Sequence, residues 1–428
     1  MRLIRIGICA LLAFTVLAHG AVEGWSEGVL EIGAALLFVW WGVLFARGSL
    51  PALRWNWLLA PAAALWVLVV VQYLVGFTAV PFLTRVEIMK YSALAILLFL
   101  AVQAYETLEQ WQGFVWFVLA LGFAVSVLGI LQYFTFNGKL YWFRELRYGG
   151  LPFGPYVNRN HFAGLVELIV PTGFALLVLR AERRDRMPLI AILTLLPIGA
   201  LFLSASRGGI VGFFIEVGLV MVLAFIRRRG RNLVVAGAVV FIFAGALVGW
   251  LGIGPAFARF AAYQKFEVTE QRRAELAKET WHIFADHPLG GTGFGTFQAE
   301  LPHYASAYHG DFVFHAHNDY LEALSETGLV GGIFYLTFLI VLLREGWRCT
   351  ARAANVMDLA FHIGALAACC GLLAHSLVDF NLHIPSNALL FLLQAVIATS
   401  PTPFALAENA NSLGYTANSA VEIGVDPV

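Results

Sequence analysis

Apolar residues run in long blocks along almost the whole chain, and short polar or charged stretches separate one block from the next. A bilayer core takes about 20 apolar residues per helix, and the chain supplies runs near that length repeatedly. The pattern predicts an all-α polytopic bundle of about twelve spans, near 6–22, 29–46, 57–77, 88–104, 113–134, 161–179, 189–204, 208–226, 233–253, 320–343, 360–378 and 386–399. One long hydrophilic segment interrupts this rhythm, at about 254–319 between the ninth and tenth spans, and it exceeds what a simple connector needs. Within it, 270–286 has helical periodicity, with Leu276, Thr280, Ile283 and Phe284 on one face and charges on another. His287-Pro-Leu-Gly-Gly291 stops that helix. A second polar stretch lies near 137–160, and the tail 401–428 is polar, aperiodic and without Lys or Arg, as in a disordered end. Residues 1–400 form a single membrane domain on this reading.

Composition supports the pattern and adds direction. The chain is 60% hydrophobic and 13% charged, with mean hydropathy +0.77, outside the range of a soluble domain. Arginines fall on alternate loops: Arg2, Arg5, Arg47 and Arg54, then Arg180, Arg183, Arg184 and Arg186, then Arg227, Arg228, Arg229 and Arg231, and last Arg344, Arg348 and Arg352. Cytoplasmic loops retain positive charge during insertion, so both termini are expected inside and the 254–319 segment outside. Residues 1–20 have the outline of a signal peptide, but removing that span would invert the charge logic. The formal net charge is zero and no basic stripe carries interleaved aromatics, so nucleic acid is not expected. Cys9, Cys349, Cys369 and Cys370 lie in or beside spans or on the inner side, and imply no disulfide framework.

Candidate chemistry concentrates on the outer face. Gly291-Thr-Gly-Phe-Gly-Thr-Phe297 neither follows a strand nor opens a βαβ unit, so a close backbone approach is the better reading than a dinucleotide site. His282, His287, His303, His309, His315 and His317 crowd one region without a metal-binding motif, and no metal is expected. His317 precedes a helix start, with Asn318 or Asp319 as N-cap and Glu322 as capping-box partner. A helix N-terminus attracts anions and disfavours a second positive charge, a setting for a general base beside a phosphate. A solvated boundary histidine is the plainer alternative. Arg207, in Ser204-Ala-Ser-Arg-Gly-Gly209, is either a snorkelling helix-end arginine or a phosphate clamp flanked by small residues. Arg272 and Arg273 add charge from the loop helix.

Four stretches together resemble the bacterial O-antigen ligase and polysaccharide polymerase family: Asn158-Arg-Asn-His-Phe-Ala-Gly164, Ser204-Ala-Ser-Arg-Gly-Gly209, Arg273 through Asp286 to Phe297, and His317-Asn-Asp-Tyr-Leu-Glu-Ala-Leu-Ser-Glu-Thr-Gly-Leu-Val-Gly331. The likeness extends over about 151–395 and includes Asp379-Phe-Asn-Leu-His-Ile-Pro385. It implies a membrane glycosyltransferase of the bacterial inner membrane that moves a glycan from undecaprenyl pyrophosphate to an acceptor at the periplasmic face. The acceptor would be a lipid-A core, a growing polymer or another glycan. By motif, the transfer residues correspond to His317, Arg207 and Arg273, with a one-residue shift exchanging Arg273 and Arg272. The chemistry requires no cofactor: His317 is the expected base, the arginines compensate the departing pyrophosphate, and direct displacement inverts the anomeric centre. Glu326 could orient His317 or bind a sugar hydroxyl, and Asn160, His161 and Asn318 could line the substrate path. Polymerase and ligase both fit. A transporter or flippase of lipid-linked glycans is the alternative from another class, and a scarcity of buried ionisable residues in the spans argues against it.

Overall fold

A computed structural model describes residues 1–50, 52–146, 152–227, 270–306 and 313–401. The expected ninth span at 233–253, the first part of the outer segment with Arg259 and Lys265, His309 and the tail 402–428 lie outside the described residues. Among the described residues the chain is helical: α1 (Arg2–Leu17), α2 (Gly24–Ala46), α3 (Leu59–Leu74), α4 (Pro81–Ala104), α5 (Leu108–Thr135), α6 (Arg159–Leu179), α7 (Met187–Ser204), α8 (Arg207–Arg227), α9 (Glu270–Asp286), α10 (Phe297–Tyr304), α11 (Asp319–Ala351), α12 (Val356–His375), a 3₁₀ turn η1 (Asn381–His383) and α13 (Pro385–Thr399). Eight of these are long and apolar enough to cross a bilayer, and α3 and α13 are shorter apolar helices. Eleven of the expected spans therefore coincide with described helices, α1 among them, while the total of twelve rests partly on undescribed sequence.

Helix α6 sits at the centre: nearly every residue from Arg159 to Leu179 is buried, under α12, α8, α7, α13 and α5. Large apolar side chains such as Leu36, Val39, Leu74, Ile333, Leu336 and Ile340 remain on the outside, as lipid contact requires. Hydrogen bonds identify which helix ends gather. At one end Ser386 N–H donates to Gly20 O, Arg159 Nη1 to Ser204 O, Asp319 N–H to Ser376 O, and Ala79 N–H to Thr292 O. At the other end Arg5 reaches Ala104 O, Arg54 N–H reaches Gln103, Gln112 reaches Glu182 and Asn56 reaches Thr399. The first end carries the polar motifs, and the second carries the arginine-rich turns.

The loop helix is where periodicity placed it, at α9, with Leu276, Thr280, Ile283 and Phe284 all buried. The glycine run after it has a definite task. Helix α11 breaks at Gly328 (φ 61, ψ −164), which strands the carbonyls of Ser325 and Glu326 and the amides of Leu329 and Val330. Loop 288–293 supplies all four partners: Thr292 and Gly293 N–H donate to Ser325 and Glu326 O, and Leu329 and Val330 N–H donate to Pro288 and Leu289 O. This interlock needs bare backbones, because a Cβ on Gly291 would strike the Glu326 carbonyl and one on Gly328 the Leu289 carbonyl. The Gly328 conformation is accessible essentially to glycine alone, at a strain of about 1–3 kcal/mol for other residues. Gly328→Ala is expected to lower the unfolding temperature in detergent and the yield of monodisperse protein; an unchanged protein would mean the interlock does not hold this end together.

Candidate active site

The end of α12 and the segment that follows it, residues 375–383, form the hub to which the motifs converge. Its carbonyls accept from three directions: Ser376 O from Asp319 N–H at 3.0 Å, Leu377 O from Asn318 Nδ2 at 2.9 Å, and Val378 O from Arg273 Nη1 at 2.7 Å. Asn318 is the N-cap of α11, its Oδ1 accepting from Tyr320 and Leu321 N–H, so its side chain is committed to structure. Glu322 is not the capping-box partner the sequence suggested. It reaches back instead, accepting from Ala316 N–H at 2.7 Å and lying 2.8 Å from His315 Nδ1.

His317 stands immediately before the cap with a left-handed backbone (φ 51), which turns its ring away from α11 and toward the hub. Its Nδ1 lies 3.3 Å from Oδ1 of fully buried Asp379, at an angle that stops short of a hydrogen bond. Burial alone would raise the Asp379 carboxyl, but His317, His161 and Arg273 hold it well below the ordinary carboxylate range. A histidine backed by a buried carboxylate is the arrangement of an oriented base, and such contacts tighten on substrate binding. Asp379, rather than Glu326, is the carboxylate beside the His317 ring. Glu326 is buried elsewhere: its Oε1 accepts from Phe297 N–H at 3.0 Å, at the start of α10.

Phe380 is the aromatic centre of this cluster. The rings of His161, His315 and His317 pack around it at 4.7, 4.5 and 4.9 Å. Arg159, Asn160 and His161 belong to the first turn of α6 and are buried. His161 presents a buried Nε2 without a hydrogen bond among the described residues. Asn160 extends the cap in which Asn158 Oδ1 accepts its N–H.

The two loop arginines divide cleanly. Arg272 Nη1 is 3.0 Å from Glu279 and 3.4 Å from Glu275 on its own helix. Burial would raise the Glu279 carboxyl, but hydrogen bonds from Ser306 and the Arg272 charge hold it below its usual value. Arg273 points to the hub, and its buried Nε has no hydrogen-bond partner among the described residues. Arg207 opens α8 after a turn in which Ala205 has φ 51 and Ser206 Oγ accepts from Gly209 N–H at 3.2 Å. It is exposed, and the turn abuts the hub: a Cβ on Gly208 would meet His375 and Val378. His317, Arg273 and the Arg207 turn therefore all border residues 375–379.

Beside them lies a carboxylate–imidazole network. His383 Nδ1 is 2.7 Å from Asp319 and its Nε2 is 3.3 Å from Glu322. Burial opposes its charge, but these carboxylates push His383 up to about 10. His315, Glu322 and His383 bring ligand-type atoms within 4.8 Å of one another, spacing that could hold a metal ion. These atoms already pair with each other at 2.8 and 3.3 Å. His282, His287 and His303 are exposed and take no part.

Sequence reasoning missed Asp379, His383 and the buried groups beneath them. Glu167 and His375 are fully buried at 2.6 Å, and Glu216 is buried nearby, so the spans hold more ionisable chemistry than their sequence suggested. The signal was present in the Asp379-Phe-Asn-Leu-His383 stretch, but nothing local shows what it faces. Residues 190–336 match the family model described as O-antigen ligase. No curated protein matches the chain. Glu167 and His161 precede the matched region, and His375 and Asp379 follow it.

Proposed function

With an O-antigen ligase region at residues 190–336 as the premise, we propose that the chain is a glycosyltransferase that moves a glycan from a polyprenyl pyrophosphate to an acceptor hydroxyl. The observation that carries this reading is the convergence of His317–Asp379, Arg273 and the Arg207 turn on residues 375–379 at one end of the bundle. The acceptor hydroxyl gives its proton to a ring nitrogen of His317 as its oxygen bonds the anomeric carbon. The glycosidic C–O bond breaks, its electron pair leaves on the pyrophosphate, and Arg207 and Arg273 compensate the new charge. Attack opposite the leaving group inverts the anomeric centre. Asp379 holds the ring so that its other nitrogen faces the acceptor.

Two further features support it. A cavity of about 330 Å³ between α3, α4, α11 and α13 is lined by Trp66, Tyr91, Phe294, Tyr335, Phe338 and Phe391, with Asp319 and His383 also on its wall. An apolar bore next to a charged site suits a polyprenyl chain whose pyrophosphate remains at the polar end. The arginine-rich turns gather at the opposite end, which the positive-inside tendency makes cytoplasmic, so the site faces the periplasm of a bacterial inner membrane and both termini face inward. We place the transferase region at 151–395 within one membrane domain.

The test is purified protein with undecaprenyl-pyrophosphate glycan and a lipid-A core or glycan acceptor. Product with an inverted linkage, formed undiminished in a strong chelator, is the expected result. Retention of configuration rules out direct displacement, and loss of activity on chelation would make the His315–Glu322–His383 trio a metal centre. Ligase and polymerase share this chemistry and differ in acceptor. Deleting a ligase leaves long unattached glycan in the host, whereas deleting a polymerase leaves single repeats. The buried Glu167–His375 pair favours the transporter reading beyond the span count and inward termini that also suit one, since ionisable groups inside spans often mark coupling paths.

A further inference from the structure

Beneath the Arg207 turn lies a group of side chains that the transfer step does not use. Glu167 of α6 and His375 of α12 meet at 2.6 Å (Oε2 to Nδ1), a short hydrogen bond in fully buried surroundings. Glu167 Oε1 and both carboxylate oxygens of Glu216 are buried without a hydrogen-bond partner among the described residues. Apolar spans do not retain such groups for stability, because replacing a buried pair by apolar side chains is often neutral or favourable. Packing has been cleared for them: a Cβ on Gly212 would collide with Glu167, and one on Gly371 with Glu216.

The opposite edge of the His375 ring shows where the pair is aimed. Its Nε2 and Cδ2 lie against Gly208, the second residue of α8, so closely that any side chain there would overlap the imidazole. Val378, whose carbonyl Arg273 holds at 2.7 Å, meets the same glycine. The order is carboxylate, imidazole, helix N-terminal turn, with Arg207 on that turn.

We propose that Glu167 and His375 form a proton-switching pair that completes the pyrophosphate seat, His375 being a positioning residue that places positive charge under the turn of residues 206–209. This rests on the pyrophosphate reading of the site given above. In the empty site the single proton between the pair lies on Glu167, and the ring carries its other proton on Nε2. When a pyrophosphate arrives over the turn, the proton crosses from Oε2 to Nδ1: one O–H bond breaks, one N–H bond forms, and the net charge of the pair stays zero. The imidazolium then faces the anion while the carboxylate behind it balances the charge. The device gives the seat a third cation only while it is needed, without holding an uncompensated charge in the bilayer. It also accounts for glycine at position 208.

Inorganic pyrophosphate is the probe, titrated into full-length detergent-purified protein by calorimetry and as an inhibitor of transfer. Glu167→Gln retains the shape and a hydrogen bond but cannot deliver the proton; His375→Gln removes the ring. Each is expected to weaken pyrophosphate binding about tenfold and to lower kcat while leaving KM for the acceptor unchanged. The double variant should lose no more than either single one, because the two act as a unit. Wild-type affinity in Glu167→Gln, or additive losses with a matching drop in unfolding temperature, overturns the proposal and leaves the site reading intact. Failure of the wild-type protein to bind pyrophosphate overturns both.

Discussion

His317→Ala is expected to lower glycan transfer by about 10³-fold, within the range that a positioned general base contributes. The residue is placed by its own backbone, left-handed just before the Asn318 cap, and by the Asp379 carboxylate 3.3 Å from Nδ1. Its side chain is only 11% exposed, so the alanine variant needs a control for folding. Asp379→Asn supplies one, retaining shape and burial while weakening orientation of the ring. It should fall between wild type and His317→Ala. Initial rates on the reconstituted enzyme, with unfolding temperatures measured alongside, decide the matter. A His317→Ala protein that transfers at the wild-type rate removes the base from this account.

Arg273→Ala is expected to cost about 10²–10³-fold in turnover, as for a donor lost from a site of developing negative charge. Arg272→Ala should remain within a few-fold of wild type. The contrast follows from geometry: Arg272 is held by Glu275 and Glu279 on its own helix, while Arg273 bonds the Val378 carbonyl and its buried Nε has no hydrogen-bond partner among the described residues. Arg273→Lys should not rescue, because one ammonium cannot both hold that carbonyl and meet a phosphate with a planar fork. Equal losses at 272 and 273 would mean that the loop acts only through its total charge.

Much of this was legible in the chain. Spans announce themselves because lipid demands an apolar run of fixed length, and α9 was visible because one face of a helix repeats every three to four residues. Arg207 and His317 stood out through local context, small neighbours or a cap, whereas Arg273 was singled out from Arg272 by the family resemblance. The partners that give them meaning did not. Glu167 and His375 are 208 residues apart, and His317 meets Asp379 across a turn whose direction no periodicity encodes. The Gly328 break was also hidden, since the apolar pattern continues through it and only loop 288–293 makes it tolerable. Glu322 illustrates the reverse error: its spacing matched a local capping rule, but the Ala316 amide and His315 compete for the same carboxylate and win.

Sealed proteoliposomes test the central claim most directly. Protein inserted with its hub end outward is supplied with lipid-linked glycan and acceptor in the outer leaflet and outer solution only. The account predicts coupled product outside, formed without any donor crossing the bilayer and abolished by His317→Ala. Donor appearing in the inner leaflet with no coupled product would contradict it and make the chain a transporter.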